Sequence, residues 1–277
     1  MAANDVIATA VEQLRHIPGV KAIVLGGSRA RGTETAESDI DLGLYYQPDQ
    51  PIDMHALDLI ATSLDDERRK GLITPTGEWG PWINGGGWLK SGGLPLDILY
   101  RDVARVSSVI DDCSRGHLDI HYQPGHPHGF CTSIYMGEVA SCKLLWDPDG
   151  LVLAMKQLTD PYPAALRQAT ISKFMWEADF SIANAKKARS RSDVSYAAGH
   201  LFRTVSCLVQ VLFACNGVYL LNEKGAVAQC GQFSAAPANF EQRVREGFAC
   251  LSAERAGMTE AVRIFESLVR ETEAFAS

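Results

Sequence analysis

Residues 20–41 constrain this chain more than any other segment. Residues 20–25 (VKAIVL) form a short β-branched run of the kind buried between neighbouring strands, and the run ends in Gly26-Gly27. Residues 38–46 (SDIDLGLYY) then alternate Asp39, Asp41 and Gly43 with Ile40, Leu42 and Leu44. A period of two predicts a second strand. The order is therefore strand, Gly-Gly-Ser elbow, ten-residue spacer, and a strand opening on Asp-Ile-Asp.

Each part of that order carries chemistry. Gly26 and Gly27 let the backbone approach a ligand without an intervening Cβ. If a helix starts near Ser28, the amides that follow have no intrahelical partner, and such a turn attracts phosphate. Asp39 and Asp41, two apart on a strand, project to one face, where hard divalent cations can be shared. Two such cations about 3.5–4 Å apart clamp the attacking and leaving oxygens of a phosphoryl displacement, and the site usually wants a third carboxylate. Asp97, in the next predicted strand at residues 95–100 (PLDILY), is the candidate. The combination implies a nucleoside triphosphate carried with Mg²⁺, attacked at the α-phosphorus with release of pyrophosphate. Arg29 and Arg31 are placed to add positive charge at the triphosphate, and Asp97 to act as base. Either arginine could equally pair with Glu34 or Glu37.

This segment resembles the nucleotidyltransferases of the DNA polymerase β superfamily, whose signature is Gly-Ser, a spacer, Asp-x-Asp on a strand and a third Asp on a later strand. It is most similar to the small bacterial branch that includes aminoglycoside, lincosamide and minimal nucleotidyltransferases. The motifs span roughly residues 20–101. The resemblance implies that Gly26, Gly27 and Ser28 serve the triphosphate, with Gly27 and Ser28 at the β- and γ-phosphates. It implies that Asp39 and Asp41 hold two Mg²⁺ ions and that Asp97 completes the site. ATP or another nucleoside triphosphate is the implied co-substrate. Some antibiotic-modifying relatives use a glutamate as base, and Glu138, in a helix expected over residues 133–145, is the candidate here; a solvent-facing helix residue is the alternative.

The remainder of the chain suits that architecture. Residues 6–17 carry Ile7, Val11 and Leu14 at helical spacing before Pro18-Gly19. Residues 53–70 predict a helix with Asp53 as N-cap and Gly71 at its end. Residues 72–93, which include Gly85, Gly86, Gly87, Gly92 and Gly93 around Trp79, Trp82 and Trp88, suit a hairpin or irregular edge strand. Those tryptophans suit packing over a sheet, or one of them a nucleobase. Beyond about residue 160 four apolar stripes recur at helical period: Ile171 to Ile182, Leu201 to Leu212, Phe240 to Leu251, and Val262 to Val269. The expected fold class is α+β, a polymerase-β-like domain with a mixed sheet flanked by helices over residues 1–150, followed by an all-α helical bundle over 151–277.

Charge and cysteines narrow the partners. With 26 Lys and Arg against 33 Asp and Glu the net charge is −7, and no basic block stands out, which argues against gripping duplex nucleic acid. Seven well-separated cysteines without a C-x-x-C pair read as reduced thiols of a cytoplasmic protein. Residues 1–15 lack the features of an export signal, and residues 205–221 are interrupted by Ser206, Gln210 and Asn216, so a buried helix rather than a membrane span is expected. His117, His121, His126, His128 and Cys131 are dense, but H-x4-H-x-H-x2-C matches no common zinc framework. A polar loop is the expectation, with His126 or His128 lining an acceptor cleft as the alternative.

The reading is thus a Mg²⁺-dependent enzyme, monomer or homodimer, moving a nucleoside monophosphate, AMP from ATP by preference, to a hydroxyl of a small molecule held between the domains. The acidic chain suits a cationic, aminoglycoside-like antibiotic, which Glu177 and Asp179 could help attract if they do more than solvate their helix. Two alternatives are transfer to a protein or RNA of the toxin-antitoxin kind, and a nucleotide-binding module without catalysis.

Overall fold

A computed structural model describes residues 2–188, 190 and 192–276. The chain forms two units: Met1–Asp111 with Tyr135–Pro161, and Asp112–Ile134 with Tyr162–Ser277. A single division at residue 150 does not describe this partition, because the chain enters the second unit, returns to the first and leaves again.

In the first unit α1 (Ala3–Leu14) precedes β1 (Ala22–Leu25), α2 (Gly27–Arg31) and β2 (Ile40–Tyr46). Then come α3 (Met54–Leu64), α4 (Gly80–Ile83), β3 (Gly86–Ser91), β4 (Leu94–Asp102) and α5 (Val103–Ser114). The short β5 (Ile120–His121) and β6 (Phe130–Cys131) belong to the second unit, after which α6 (Ser133–Ser141), β7 (Lys143–Trp146) and α7 (Leu151–Gln157) follow. The sheet order is β3-β4-β2-β1-β7; β2 and β4 run parallel and the other pairs antiparallel. This is a mixed sheet flanked by helices.

Strand periodicity sorts the sheet into two unlike faces. Ile23, Leu25, Ile40, Leu42, Leu44, Leu96, Ile98 and Tyr100 bury one face in a core shared with Val6, Ala10 and Leu14 of α1 and Leu57 and Ala61 of α3. The other face carries Asp41, Gly43 and Tyr45 of β2 beside Asp97, Leu99 and Arg101 of β4. The apolar face anchors the sheet, so the polar one is left for chemistry.

Two expected helices end early, each for a local reason. Asp53 does cap α3, accepting from the Ala56 amide at 3.0 Å, but the helix stops at Leu64 rather than running on toward Lys70. There the buried Asp65 carboxylate accepts from the Arg69 guanidinium at 2.6 and 3.0 Å and from the Lys90 amide at 3.0 Å, tying the chain to β3. The helix expected over residues 133–145 ends at Ser141. Lys156 Nζ donates to the carbonyls of Val139, Ala140 and Cys142, a cation on the negative end of the helix, and β7 follows as a strand beside β1.

In the second unit the four apolar stripes become α8 (Ala164–Ala188), α9 (Val194–Cys215), α11 (Phe240–Cys250) and α12 (Arg255–Ala276), with the short α10 (Ala226–Cys230) between them. Helix α8 packs along α9, and α12 packs on α8, α9 and α11. Asp193 caps α9 through the Tyr196 amide. Helix α9 is long and apolar enough to cross a membrane, yet 67% of its most apolar window is buried within the fold. The seven cysteines are free thiols, five of them buried.

Candidate active site

The glycine elbow is held against the polar sheet face by backbone. The Gly26 amide donates to the Asp41 carbonyl at 2.8 Å, which closes the β1–β2 ladder at the point where α2 begins. Gly27 has φ +62°, and a Cβ there would run into the Asp41 carboxylate. A side chain is therefore excluded at Gly27 both by backbone conformation and by the acid beneath it. Helix α2 does begin beside Ser28 as the sequence predicts, and Gly32 closes it in the left-handed region.

Asp41 and Asp97 are register partners on the parallel strands β2 and β4, so both side chains leave the same sheet face side by side. Asp39 stands one residue ahead of β2, exposed and outside the strand on which the sequence places it. The Arg29 guanidinium holds that segment: Nε donates to the Asp39 carbonyl at 3.0 Å, and the head group also reaches the Ser38 carbonyl. Arg29 is thus engaged with backbone, while Arg31 is exposed.

Electrostatically the three acids act on one another. Burial pushes Asp97 up to about 6, and the charges of Asp41 and Asp39 add to the effect. Burial and then Asp39 raise Asp41, with Arg31 and Arg29 pulling the other way. Half-buried carboxylates that repel one another and offer only hard oxygen donors fit a hard divalent cation. Their oxygens do not all lie within 4.8 Å of one another, a spacing that like charges favour.

Residues 7–75 match the model of the nucleotidyltransferase domain family. Over that stretch the chain is similar to nucleotidyltransferase domains. No curated protein matches the chain. Among solved structures it is similar to a nucleotidyltransferase-like protein from Exiguobacterium sibiricum 255-15, with 11% identity and a TM-score of 0.47, over 99% of this chain and 78% of that one. A nucleotidyltransferase domain implies a nucleoside triphosphate substrate and enzymatic transfer of its nucleoside monophosphate, and such domains generally work with a divalent metal. The matched stretch contains the elbow, Asp39 and Asp41; Asp97 lies beyond it and reaches the same place through strand pairing.

Glu138 does not supply a free carboxylate to the nucleotidyltransferase domain. Both of its oxygens accept from Arg101, each at 2.7 Å, and Arg101 is buried. The expected base is instead the counter-charge of a buried arginine. Glu177 is likewise engaged, by Arg203 and His128, and His126 stands 3.4 Å from Glu223, all within the second unit.

Of two further residues near the site, one escapes a reading of the sequence and the other is named there without its place. Lys143 pairs with Leu25 across β7 and β1 and donates to the Arg29 carbonyl at 3.1 Å, placing a cation beside the elbow. Only the short run KLLW, at the end of an expected helix, hints at it. Trp88 is the register partner of Asp97 on edge strand β3, is 62% exposed, and stacks on Trp79 at 4.4 Å. Its aromatic character is legible in the sequence; its position beside the acid requires the strand register.

Proposed function

We propose that the protein catalyses Mg²⁺-dependent transfer of AMP from ATP to a hydroxyl of a small, cationic, aminoglycoside-like acceptor, releasing pyrophosphate, in a reducing compartment such as the cytoplasm. The observation that carries this reading is the pairing of Asp41 with Asp97 across β2 and β4, with Asp39 one residue upstream of β2 and Gly27 packed on Asp41.

Asp39, Asp41 and Asp97 would hold two ions. Bound there, Mg²⁺ supplies positive charge to the non-bridging phosphate oxygens and to the departing pyrophosphate. The amides at Gly27 and Ser28 receive the β- and γ-phosphates, with the positive charges of Arg31 and Lys143 close by. Arg29 keeps Asp39 in place through its carbonyl. Trp88, exposed on the same face, offers an aromatic surface to the adenine. Asp97, beside Asp41 on the neighbouring strand, takes the proton of the acceptor hydroxyl. The protein's net charge of −7 favours a cationic acceptor.

Incubation with α-labelled ATP, Mg²⁺ and a panel of hydroxyl-bearing acceptors tests the reading. The expected result is label on an acceptor together with stoichiometric pyrophosphate. Label found only on co-expressed protein or RNA moves the acceptor class. Thermal stabilisation by ATP without pyrophosphate release removes catalysis from the account.

A further inference from the structure

The second unit brings together three side chains to which the proposed transfer step assigns no role. His128 comes from the loop between β5 and β6, Glu177 from α8 and Cys207 from α9. Cys207 Sγ lies 3.7 Å from His128 Nε2, and Glu177 Oε1 lies 3.6 Å from the same nitrogen. One ligand atom from each residue lies within 4.8 Å of the other two, the only such group among the described residues.

The shared nitrogen decides what this cluster can be. A Cys-His-Glu relay needs the thiol on one ring nitrogen and the acid on the other. Here both approach Nε2, so N, O and S donors converge on one point. Bonds of about 2.0–2.3 Å to a tetrahedral Zn²⁺ put neighbouring ligand atoms roughly 3.3–3.7 Å apart, close to the two separations observed. Imidazole with a thiolate suits Zn²⁺ and does not suit Mg²⁺ or Ca²⁺. His128 is also fixed from outside the cluster, since its amide donates to Glu223 at 3.0 Å and its ring packs on Phe174.

We propose that His128, Glu177 and Cys207 form a Zn²⁺ site that fastens the β5–β6 loop to helices α8 and α9. Cys207 binds as the thiolate and its proton leaves to solvent. His128 and Arg203 line a cavity of about 540 Å³, through which the ion and a fourth ligand, water or an anion, reach the cluster. The ion replaces Arg203 as the partner of Glu177. That exchange costs little, because the Arg203 side chain is 46% exposed and stays solvated. The three ligands lie far apart in sequence, so no spacing motif announces them.

The full-length, tag-free protein, stripped with chelator, is titrated with Zn²⁺ and separately with Co²⁺. The expected result is one Zn²⁺ per chain after desalting and a thiolate-to-Co²⁺ charge-transfer band. Cys207→Ser and His128→Gln should each weaken Zn²⁺ binding on the order of a hundredfold or more. Cys230→Ser, at another buried thiol of the same unit, and the Asp39→Ala/Asp41→Ala double variant should bind Zn²⁺ like the parent. Substoichiometric zinc, a Co²⁺ spectrum without the thiolate band, or parental affinity in Cys207→Ser or His128→Gln overturns the site. If both ligand variants fail to fold, the Co²⁺ spectrum of the parent decides the matter alone.

Discussion

Asp97 and Arg101 lie four residues apart on β4 and leave the same face of the sheet, yet the fold treats their charges in opposite ways. Arg101 is buried and fully answered: Glu138 accepts two hydrogen bonds from it, the carbonyls of Ile83 and Tyr100 accept two more, and the Tyr135 ring lies 5.5 Å away. Around Asp97 the nearest acids are Asp41 and Asp39, which raise its proton affinity. A charge that serves only the fold is neutralised by the fold. Carboxylates crowded together and left to repel one another are costly unless a ligand supplies the counter-charge, and that contrast separates the candidate site from the architecture around it.

The comparison can be broken at either end. The largest effect is expected from Asp39→Ala/Asp41→Ala, which should lower nucleotidyl transfer by roughly 10³-fold or more while leaving the metal-free protein at least as stable as the parent. Equal turnover in parent and double variant, measured as pyrophosphate release, would dismiss the acidic end as a site. Next is Glu138→Gln, which strands a buried guanidinium and should cost about 3 kcal/mol of stability in urea unfolding. Its transfer rate per folded molecule should stay within about a factor of two of the parent. A large loss of rate with stability unchanged would return Glu138 to the chemistry.

Gly27→Ala should come third. It forces a side chain into a left-handed backbone position and against Asp41, for about 1–2 kcal/mol in thermal unfolding and a larger proportional loss of ATP affinity by calorimetry. The smallest effect sharpens the contrast by pH. Asp97 has a folded value of about 6 against about 3.9 when unfolded, so the native state holds its proton more tightly. Below about pH 4 both states are protonated and nothing is lost; as pH rises through about 6 the native state must carry the charge, and stability falls. Allowing for partial exposure, the loss is about 1 kcal/mol without divalent cations. Asp97→Asn should therefore melt higher than the parent at about pH 7.5 in chelator, and the gap should close near pH 4.

Local periodicity accounts for much of this arrangement. The elbow at Gly26-Gly27, the strands on either side and the four C-terminal helices follow from it, and Asp97 stands out because PLDILY reads as a strand. Glu138, a candidate through the family resemblance, owes its contact with Arg101 to the fold, because helical spacing says which residues share a face and nothing about a buried arginine 37 residues upstream. Strand β7 escapes it because an apolar run as short as KLLW fits a helix end as well as a strand; Lys156 on the α6 carbonyls and the pairing with β1 decide between them. Asp39 falls one residue outside β2 because alternation cannot mark where pairing begins.

Local sequence is enough for the strand, elbow and strand around Gly26-Gly27, for the four long C-terminal helices and for the need for glycine at the elbow, since those depend on near neighbours and on backbone conformation. Tertiary structure alone decided that Asp41 stands beside Asp97, that Trp88 flanks Asp97 from the other side, that Glu138 answers Arg101, and that His128, Glu177 and Cys207 meet. Each of those is a relation between residues distant along the chain, set by strand register and helix packing, and through-space electrostatics and ligand geometry are defined only once those distances exist.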